Sequence, residues 1–268
     1  MYPYKTSLHY FGRDPSLRGL WLLDGRSTSE IDFSGNGNTG TQAGNANPDW
    51  FVGSQRLKLA RRFTGTNGDY IGCGTGASLD VQGAITLIAW FNVTAAANAF
   101  LILKGTSALT AGTLSYFLRL LSTKAVSFGL SNGTSVLNLN SAANQYRLNQ
   151  PTCVIATWEG SSGQTWRIFL NGIQIATGNS GITMASKPSV PLVLGSSGLG
   201  GAQAITGSLG ETLVLARAIS PLGVSDYYTT MISGARYPRG LRTPMVSSQK
   251  VLQGGGLGDQ TTLMGGMQ

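Results

Sequence analysis

The side chains that could perform hydrolytic chemistry are few and widely spaced. Retaining hydrolysis of a glycosidic bond needs two carboxyl groups about 5–5.5 Å apart, one as nucleophile and one as acid and base. Glu30 and Asp32 alternate with Ser34, so the three would share one face of a strand. Glu159 is the single acidic residue between positions 81 and 210. The middle of the chain therefore cannot supply a carboxylate pair.

Nucleophilic and metal chemistry is limited in the same way. His9 is the only histidine, which excludes histidine-cluster metal sites and leaves little room for a histidine-based triad. A serine nucleophile would have no plausible histidine base beyond His9. Cys73 and Cys153 are too few for a zinc ribbon or a disulfide framework, and we expect two buried, inert thiols. These absences argue against most enzyme classes.

Binding of a carbohydrate would need an exposed aromatic ring flanked by amide and carboxylate groups. Trp50 offers such a ring in a predicted loop, with Asn47 and Asp49 beside it. The alternative is that Trp50 plugs one end of a sandwich. The other tryptophans lie in strand-like runs, and at least three of them are predicted to face the core: Trp21, Trp90, Trp158 and Trp166.

The composition predicts the kind of fold that must position these residues. Of 268 residues, only 11% are charged, against roughly 25% in an average domain, while 38 are glycine. The hydrophobic content of 41% is enough for a core. Neutral polar residues must therefore cover the surface, and together with many glycines this favours an all-β, turn-rich fold.

The net charge of +8 is spread along the chain, and no signature of a nucleic-acid-binding fold is present. We therefore expect no nucleic-acid partner; the charge serves solubility, or docking to an acidic protein surface. The first residues contain no apolar signal segment, and no run approaches the roughly 18 apolar residues of a membrane span. The sequence predicts a protein made in a cytoplasm, without a membrane partner.

Short apolar runs separated by turn residues begin at Gly19. The strongest hairpin signal is Asn171-Gly172, between the alternating run 165–170 and the run that starts at Ile173. Together the runs predict an antiparallel sandwich, with strands at 20–23, 70–72, 84–93, 99–103, 114–120, 125–130, 136–139, 152–158, 165–170, 173–176, 192–194 and 208–216.

One helix is predicted near the end of the chain. Ser220 is a good N-cap, Pro221 suits the first helical position, and Gly234 can end the helix. After the helix, residues 235–268 carry a triple glycine and too few apolar residues to form a core.

Six short motifs, in order, resemble laminin-G-like, concanavalin A-like jelly-roll domains. They are Gly19-Leu20-Trp21-Leu22-Leu23-Asp24 with the loop 32–41, Arg62-Phe63-Thr64-Gly65 with Asp69-Tyr70-Ile71, Ala84–Phe91, Ala156-Thr157-Trp158, Phe169-Leu170-Asn171-Gly172, and Gly207-Ser208-Leu209-Gly210-Glu211. The resemblance covers roughly residues 19–234. It implies two large antiparallel sheets, flanked here by an N-terminal arm, 1–18, and an extended C-terminal tail, 235–268.

The family contains both lectins and glycosidases, so the site residues must decide between them. Glycosidases of this fold carry Glu, Asp and Glu at alternate strand positions, but here the third position is Ser34. The resemblance therefore implies no catalytic residues. Related domains often hold Ca²⁺, and Asp32, Asn36 and Glu211 match such ligands. The alternative is that Asp32 and Asn36 cap a turn and the domain needs no cofactor.

These observations favour a structural protein of a virus particle, such as a phage capsid-decoration, head-fibre or tail-associated protein. Virion proteins are made in a host cytoplasm and displayed on a surface, which reconciles the sandwich with the missing export signal. Capsid or tail subunits, or further copies of the chain, are the expected partners of both arms. The predicted anchors in the tail are Met245, Val246, Leu252, Leu257, Leu263 and Met264. The alternative is a lectin or carbohydrate-binding module for a host glycan.

Overall fold

Two antiparallel sheets stack face to face in the computed structural model. The structure describes residues 7–25, 27–51, 58–66, 68–106, 109–198 and 203–233, without the side chains of 48–51, 58–59 and 162. The predicted tail and its six apolar anchors lie outside these residues. None of the described helices is long and apolar enough to cross a membrane.

Sheet I has the strand order β14-β13-β12-β7-β16-β5-β4, and β1 pairs with the second half of β16. Its strands are β1 (Leu17–Trp21), β4 (Asn47–Phe51), β5 (Lys58–Thr64), β7 (Ile85–Val93), β12 (Thr152–Trp158), β13 (Thr165–Leu170), β14 (Ile173–Asn179) and β16 (Thr206–Leu215).

Sheet II has the order β11-β10-β9-β8-β15-β6-β3-β2. Its strands are β2 (Ser29–Glu30), β3 (Gly40–Ala43), β6 (Tyr70–Gly72), β8 (Ala99–Gly105), β9 (Leu114–Leu120), β10 (Val126–Ser131), β11 (Val136–Asn140) and β15 (Leu192–Leu194). The predicted antiparallel sandwich is confirmed.

The main core lies between the sheets and follows from strand alternation. On β7, Leu87, Ala89 and Phe91 point into this core, while Ile88 and Trp90 point to the other face of sheet I. Trp21, Trp158 and Trp166 are all buried in the main core, as the sequence predicts.

The turn between β13 and β14 has the expected backbone. Asn171 and Gly172 have φ values of 50° and 81°, and Leu170 pairs with Ile173 across them. Positive φ at both central residues is the geometry that favours Asn-Gly, because asparagine and glycine tolerate it. The hairpin prediction is confirmed.

Helices cover the outer face of sheet I. They are α1 (Ser7–Phe11) and α3 (Pro221–Ile232), while the short α2 (Gly160–Gly163) lies between β12 and β13. The Ser220 hydroxyl accepts a hydrogen bond of 3.2 Å from the Gly223 amide, so the predicted N-cap is confirmed. Val224, Tyr227 and Met231 of α3 are buried in this second apolar layer.

The predicted N-terminal arm is wrong over residues 7–18. Phe11 and Leu17 are buried in the layer between the helices and sheet I. The Ser7 hydroxyl contacts Glu211 on β16 at 2.7 Å and the Tyr227 hydroxyl on α3 at 2.7 Å. Residues 7–18 therefore belong to the sandwich, because Phe11 and Leu17 pack into its apolar layer and Ser7 forms hydrogen bonds with it.

Candidate functional site

Asp32 holds the turn that follows β2. Its Oδ1 accepts hydrogen bonds from the amides of Leu20 at 3.1 Å and Ser34 at 2.9 Å. Its Oδ2 accepts from the amide and side-chain nitrogen of Asn38, at 2.9 and 3.1 Å. Both oxygens are thus engaged by protein donors, as in a turn cap.

The two other predicted calcium ligands also have protein partners. The side-chain nitrogen of Asn36 donates to the carbonyl of Leu17 at 3.0 Å, and Glu211 Oε2 accepts from the Ser7 amide at 3.0 Å. Within the described ranges, no three His, Cys, Asp or Glu side chains form a metal-binding group. The arrangement favours turn capping over a calcium site.

We expect chelation by EDTA to leave the melting temperature unchanged. The Asp32→Ala variant should lose about 1–3 kcal/mol of unfolding free energy, because buried amides lose their acceptor. Thermal unfolding of both proteins with EDTA and with added Ca²⁺ measures this. A wild-type melting temperature that falls with EDTA and returns with Ca²⁺ would show a structural ion instead.

Glu30, which resembles part of a catalytic carboxylate motif, is buried and paired. Its Oε1 contacts the Nε of Arg61 at 2.5 Å, and both side chains are almost fully buried. Burial raises the pKa of Glu30, while Arg61 partly opposes the shift. The carboxylate is therefore a structural partner of Arg61, and it is not open to a substrate.

A polar pocket of about 380 Å³ opens at one end of sheet I. We call it the Arg62 pocket. Asn47 on β4 pairs in register with Arg62 on β5, and Thr64 pairs with Thr206 on β16. The full lining is Asn45, Asn47, Arg62, Phe63, Thr64, Thr94, Thr206 and Gly207. The side chains of Asn45, Asn47, Arg62, Thr64 and Thr94 are exposed.

Asp69 fixes one wall of the Arg62 pocket from behind. Its carboxylate accepts hydrogen bonds from the Asn45 amide at 2.7 Å and from the amide and hydroxyl of Thr64 at 3.0 and 2.5 Å. Burial raises the pKa of Asp69, but these hydrogen bonds outweigh it, so the net pKa lies below its usual value. An ionised Asp69 thus holds the pocket's wall in place.

A second structural constraint lies on the opposite wall of the pocket. Gly207 has a φ of 137°, and a Cβ on it would lie 2.3 Å from the carbonyl oxygen of Asn92. Only glycine allows β16 to approach β7 this closely. The Thr94 amide donates to the Thr206 carbonyl at 2.8 Å beside it. This wall of the pocket therefore depends on a glycine at position 207.

The predicted carbohydrate residues divide between the pocket and β4. Asn47 lines the pocket. The backbones of Asp49 and Trp50 continue along β4, so the placement of Trp50 in a loop is wrong. Their side chains lie outside the described part of the structure. The sequence did not identify Arg62 or the threonines as site residues. They come together through the pairing of strands that are far apart in the chain, and the sequence does not reveal that pairing.

A smaller pocket of about 260 Å³ lies on the outer face of sheet II. Half-buried Tyr70 forms one side, and Gly72 and Gly74 leave space beside it. Buried Ser197 lines the pocket, and its hydroxyl has no hydrogen-bond partner in the described structure. The aromatic ring makes this pocket a competing location for a sugar.

The family assignment agrees with this geometry. The sequence profile of the Laminin_G_3 family, described as the concanavalin A-like lectin/glucanases superfamily, matches residues 63–225, which is more than half of the chain. The chain belongs to this superfamily. The matched span includes β6 to β16 and so covers strands of both sheets. The lectin-like jelly roll is therefore shown by both sequence and fold.

Solved structures show the same fold at low identity. The binding domain of Paraclostridial Mosquitocidal Protein 1 matches with a TM-score of 0.63 and 11% identity, covering 80% of this chain and 52% of that one. The receptor binding domain of botulinum neurotoxin C/D mosaic serotype gives 0.57 and 12%, covering 80% and 51%. The binding domain of botulinum neurotoxin DC in complex with SialylT gives 0.52 and 11%, covering 81% and 52%.

The chain thus spans about half the length of these solved domains. At such identities the likeness shows the fold alone. No curated protein matches the sequence.

Proposed function

We propose that this domain is a non-catalytic, glycan-binding module whose ligand occupies the Arg62 pocket. The observation that carries the proposal is the set of polar groups around that pocket: the exposed guanidinium of Arg62, two exposed amides, and three threonine hydroxyls of which two are exposed. Amides and hydroxyls both donate and accept hydrogen bonds, as sugar hydroxyls do. The solved relatives support the proposal, since they are named as binding domains and one was solved with SialylT.

The lack of catalysis follows from where the carboxylates lie. The lining of the Arg62 pocket contains no acidic residue. Asp69 stands behind it with its oxygens engaged, and Glu30 is buried against Arg61. A sugar in the pocket would meet hydrogen-bond donors and acceptors without the carboxylate pair that hydrolysis requires.

The test is glycan binding by matched variants. We expect Arg62→Ala and Asn47→Ala each to weaken binding about tenfold or more on a glycan array and in titration calorimetry, because each removes groups that bond the ligand. Arg147→Ala is the control, since it removes an equally exposed positive charge elsewhere. All variants should keep the wild-type melting temperature.

Two outcomes would contradict the proposal. A wild-type protein that binds no glycan would leave the pocket without this role. Loss of binding in Tyr70→Ala, with Asn47→Ala and Arg62→Ala unaffected, would place the sugar in the pocket beside Tyr70.

We place this module on the surface of a virus particle, as the sequence predicts. Residues 235–268, rich in glycine with scattered apolar side chains, would dock to capsid or tail subunits or to further copies of the chain. The composition of that segment supports this setting. A display domain with a glycan pocket would then serve attachment to a host surface.

A further inference from the structure

The outer face of sheet II carries a second cluster of polar and aromatic residues, centred on Arg119. In register across β8, β9 and β10, Arg119 lies between Phe100 and Ser127. Asn140 on β11 pairs with Ser127 and continues the row. Phe100 and Phe117 form an apolar group separate from the main core, so this row faces away from sheet I.

Two aromatic rings hold the guanidinium in place. The Arg119 Cζ lies 5.2 Å from the ring centre of Phe117 and 5.9 Å from that of Phe100. Both rings are buried and meet edge to face, with centres 5.7 Å apart. Gly129 makes room for them, because a Cβ there would lie 2.2 Å from the Phe117 ring. Cation–π contact with fixed rings therefore orients Arg119.

The polar groups of this cluster lack partners. Arg119 Nε and the hydroxyls of Ser127 and Ser115 are buried, and none of the three has a hydrogen bond in the described structure. Arg61, Arg167 and Arg217, by contrast, each contact a carboxylate. Buried polar groups are normally hydrogen-bonded, so unpaired ones need an explanation. Burial also lowers the pKa of Arg119, as expected for a cation with no anion beside it.

We infer that Arg119 binds the anionic group of an acidic saccharide. A carboxylate or sulfate would accept hydrogen bonds from the guanidinium of half-buried Arg119, which has no protein carboxylate beside it among the described residues. Asn138 and Asn140 are exposed on the adjoining strand and offer amides to sugar hydroxyls. The inference rests on the proposed function for its ligand class, but on residues separate from the Arg62 pocket.

The experiment compares three probes: lactose, 3′-sialyllactose and lactose 3′-sulfate. Titration calorimetry should show the wild type binding at least one acidic probe about ten- to a hundredfold more tightly than lactose. Arg119→Gln should abolish that preference. Arg147→Gln, which removes the same charge elsewhere, should keep it. The two acidic probes distinguish a carboxylate from a sulfate ligand.

A second measurement needs no variant. The ¹⁵Nε–Hε signal of Arg119 in the wild-type protein should shift on addition of the preferred acidic probe and stay fixed on addition of lactose. A preference that survives Arg119→Gln, an unchanged Nε signal at saturation, or no acid preference in the wild type would each overturn the inference.

The same variants can reject the Arg62 pocket and the Arg119 site independently of each other. If Arg62→Ala leaves lactose binding intact while Arg119→Gln removes the acid preference, the proposed pocket is wrong and the Arg119 site stands. If Arg62→Ala removes the acid preference and Arg119→Gln does not, the anion binds in the Arg62 pocket and this inference is wrong.

Discussion

Replacement of Arg61 by alanine is expected to lower the free energy of unfolding by about 3–5 kcal/mol, because it leaves a buried carboxylate without its partner. Arg61 is 1% exposed and contacts Glu30 through Nε at 2.5 Å. Its Nη1 donates to Gln42 Oε1 at 2.7 Å and to the Ala46 carbonyl at 2.9 Å, and its Nη2 donates to the Ser27 carbonyl. The single guanidinium thus joins β5 to β2, β3 and two loops.

Urea denaturation followed by tryptophan fluorescence measures the loss, and Arg62→Ala is the matched control. Arg62 is the next residue on β5 but is exposed, so its removal should change the unfolding free energy by less than about 0.5 kcal/mol. Glu30→Gln keeps the shape of the side chain and should cost less than Arg61→Ala. Equal stability of the Arg61→Ala and Arg62→Ala proteins would show that the buried pair contributes nothing.

These neighbouring arginines show a feature that the sequence alone does not predict, namely which of two adjacent side chains is buried. Alternation puts Arg61 and Arg62 on opposite faces of any strand, but nothing local says which one is buried. The acceptors of Arg61 lie 15 to 34 residues earlier in the chain. The sequence therefore did not predict β5, whose inward arginine interrupts the apolar pattern.

Strands with regular alternation were predictable. The observed bounds lie within two residues of the expected ones for β7, β9, β12 and β13. In these strands the positions of the apolar side chains are enough to indicate the buried residues. The strands β2, β3 and β4 were missed. They are short, and they are held by pairing with β5, β6 and one another.

The candidate sites were predictable only in part. Asn47 was named from its chemistry, and the structure places it in a pocket. Arg119 gave no signal, since a lone arginine in Leu114–Leu120 looks like any solvated strand residue. Its significance comes from Phe100 and Ser127 on the neighbouring strands, which only the register of the sheet brings beside it.

Removal of the Phe11 side chain tests the corrected boundary of the sandwich. Phe11 is 1% exposed, and its ring centre lies 5.3 Å from that of Tyr227 on α3. We expect Phe11→Ala to lower the unfolding free energy by about 3–5 kcal/mol, the usual cost of a large cavity in a core. The five-residue α1 is too short to be stable alone, so this cost reflects its packing against sheet I and α3.

Leu222→Ala is the control, because Leu222 is 80% exposed on α3 and its truncation creates no cavity. Urea unfolding of the full chain should give a wild-type midpoint for Leu222→Ala and a much lower one for Phe11→Ala, with the same slope. A protein that begins at Gly19 should be destabilised at least as much, since it also loses Leu17 from the apolar layer and the Ser7 contacts to Glu211 and Tyr227. If both Phe11→Ala and the shortened protein keep the wild-type stability, the corrected boundary is wrong and residues 1–18 are an arm.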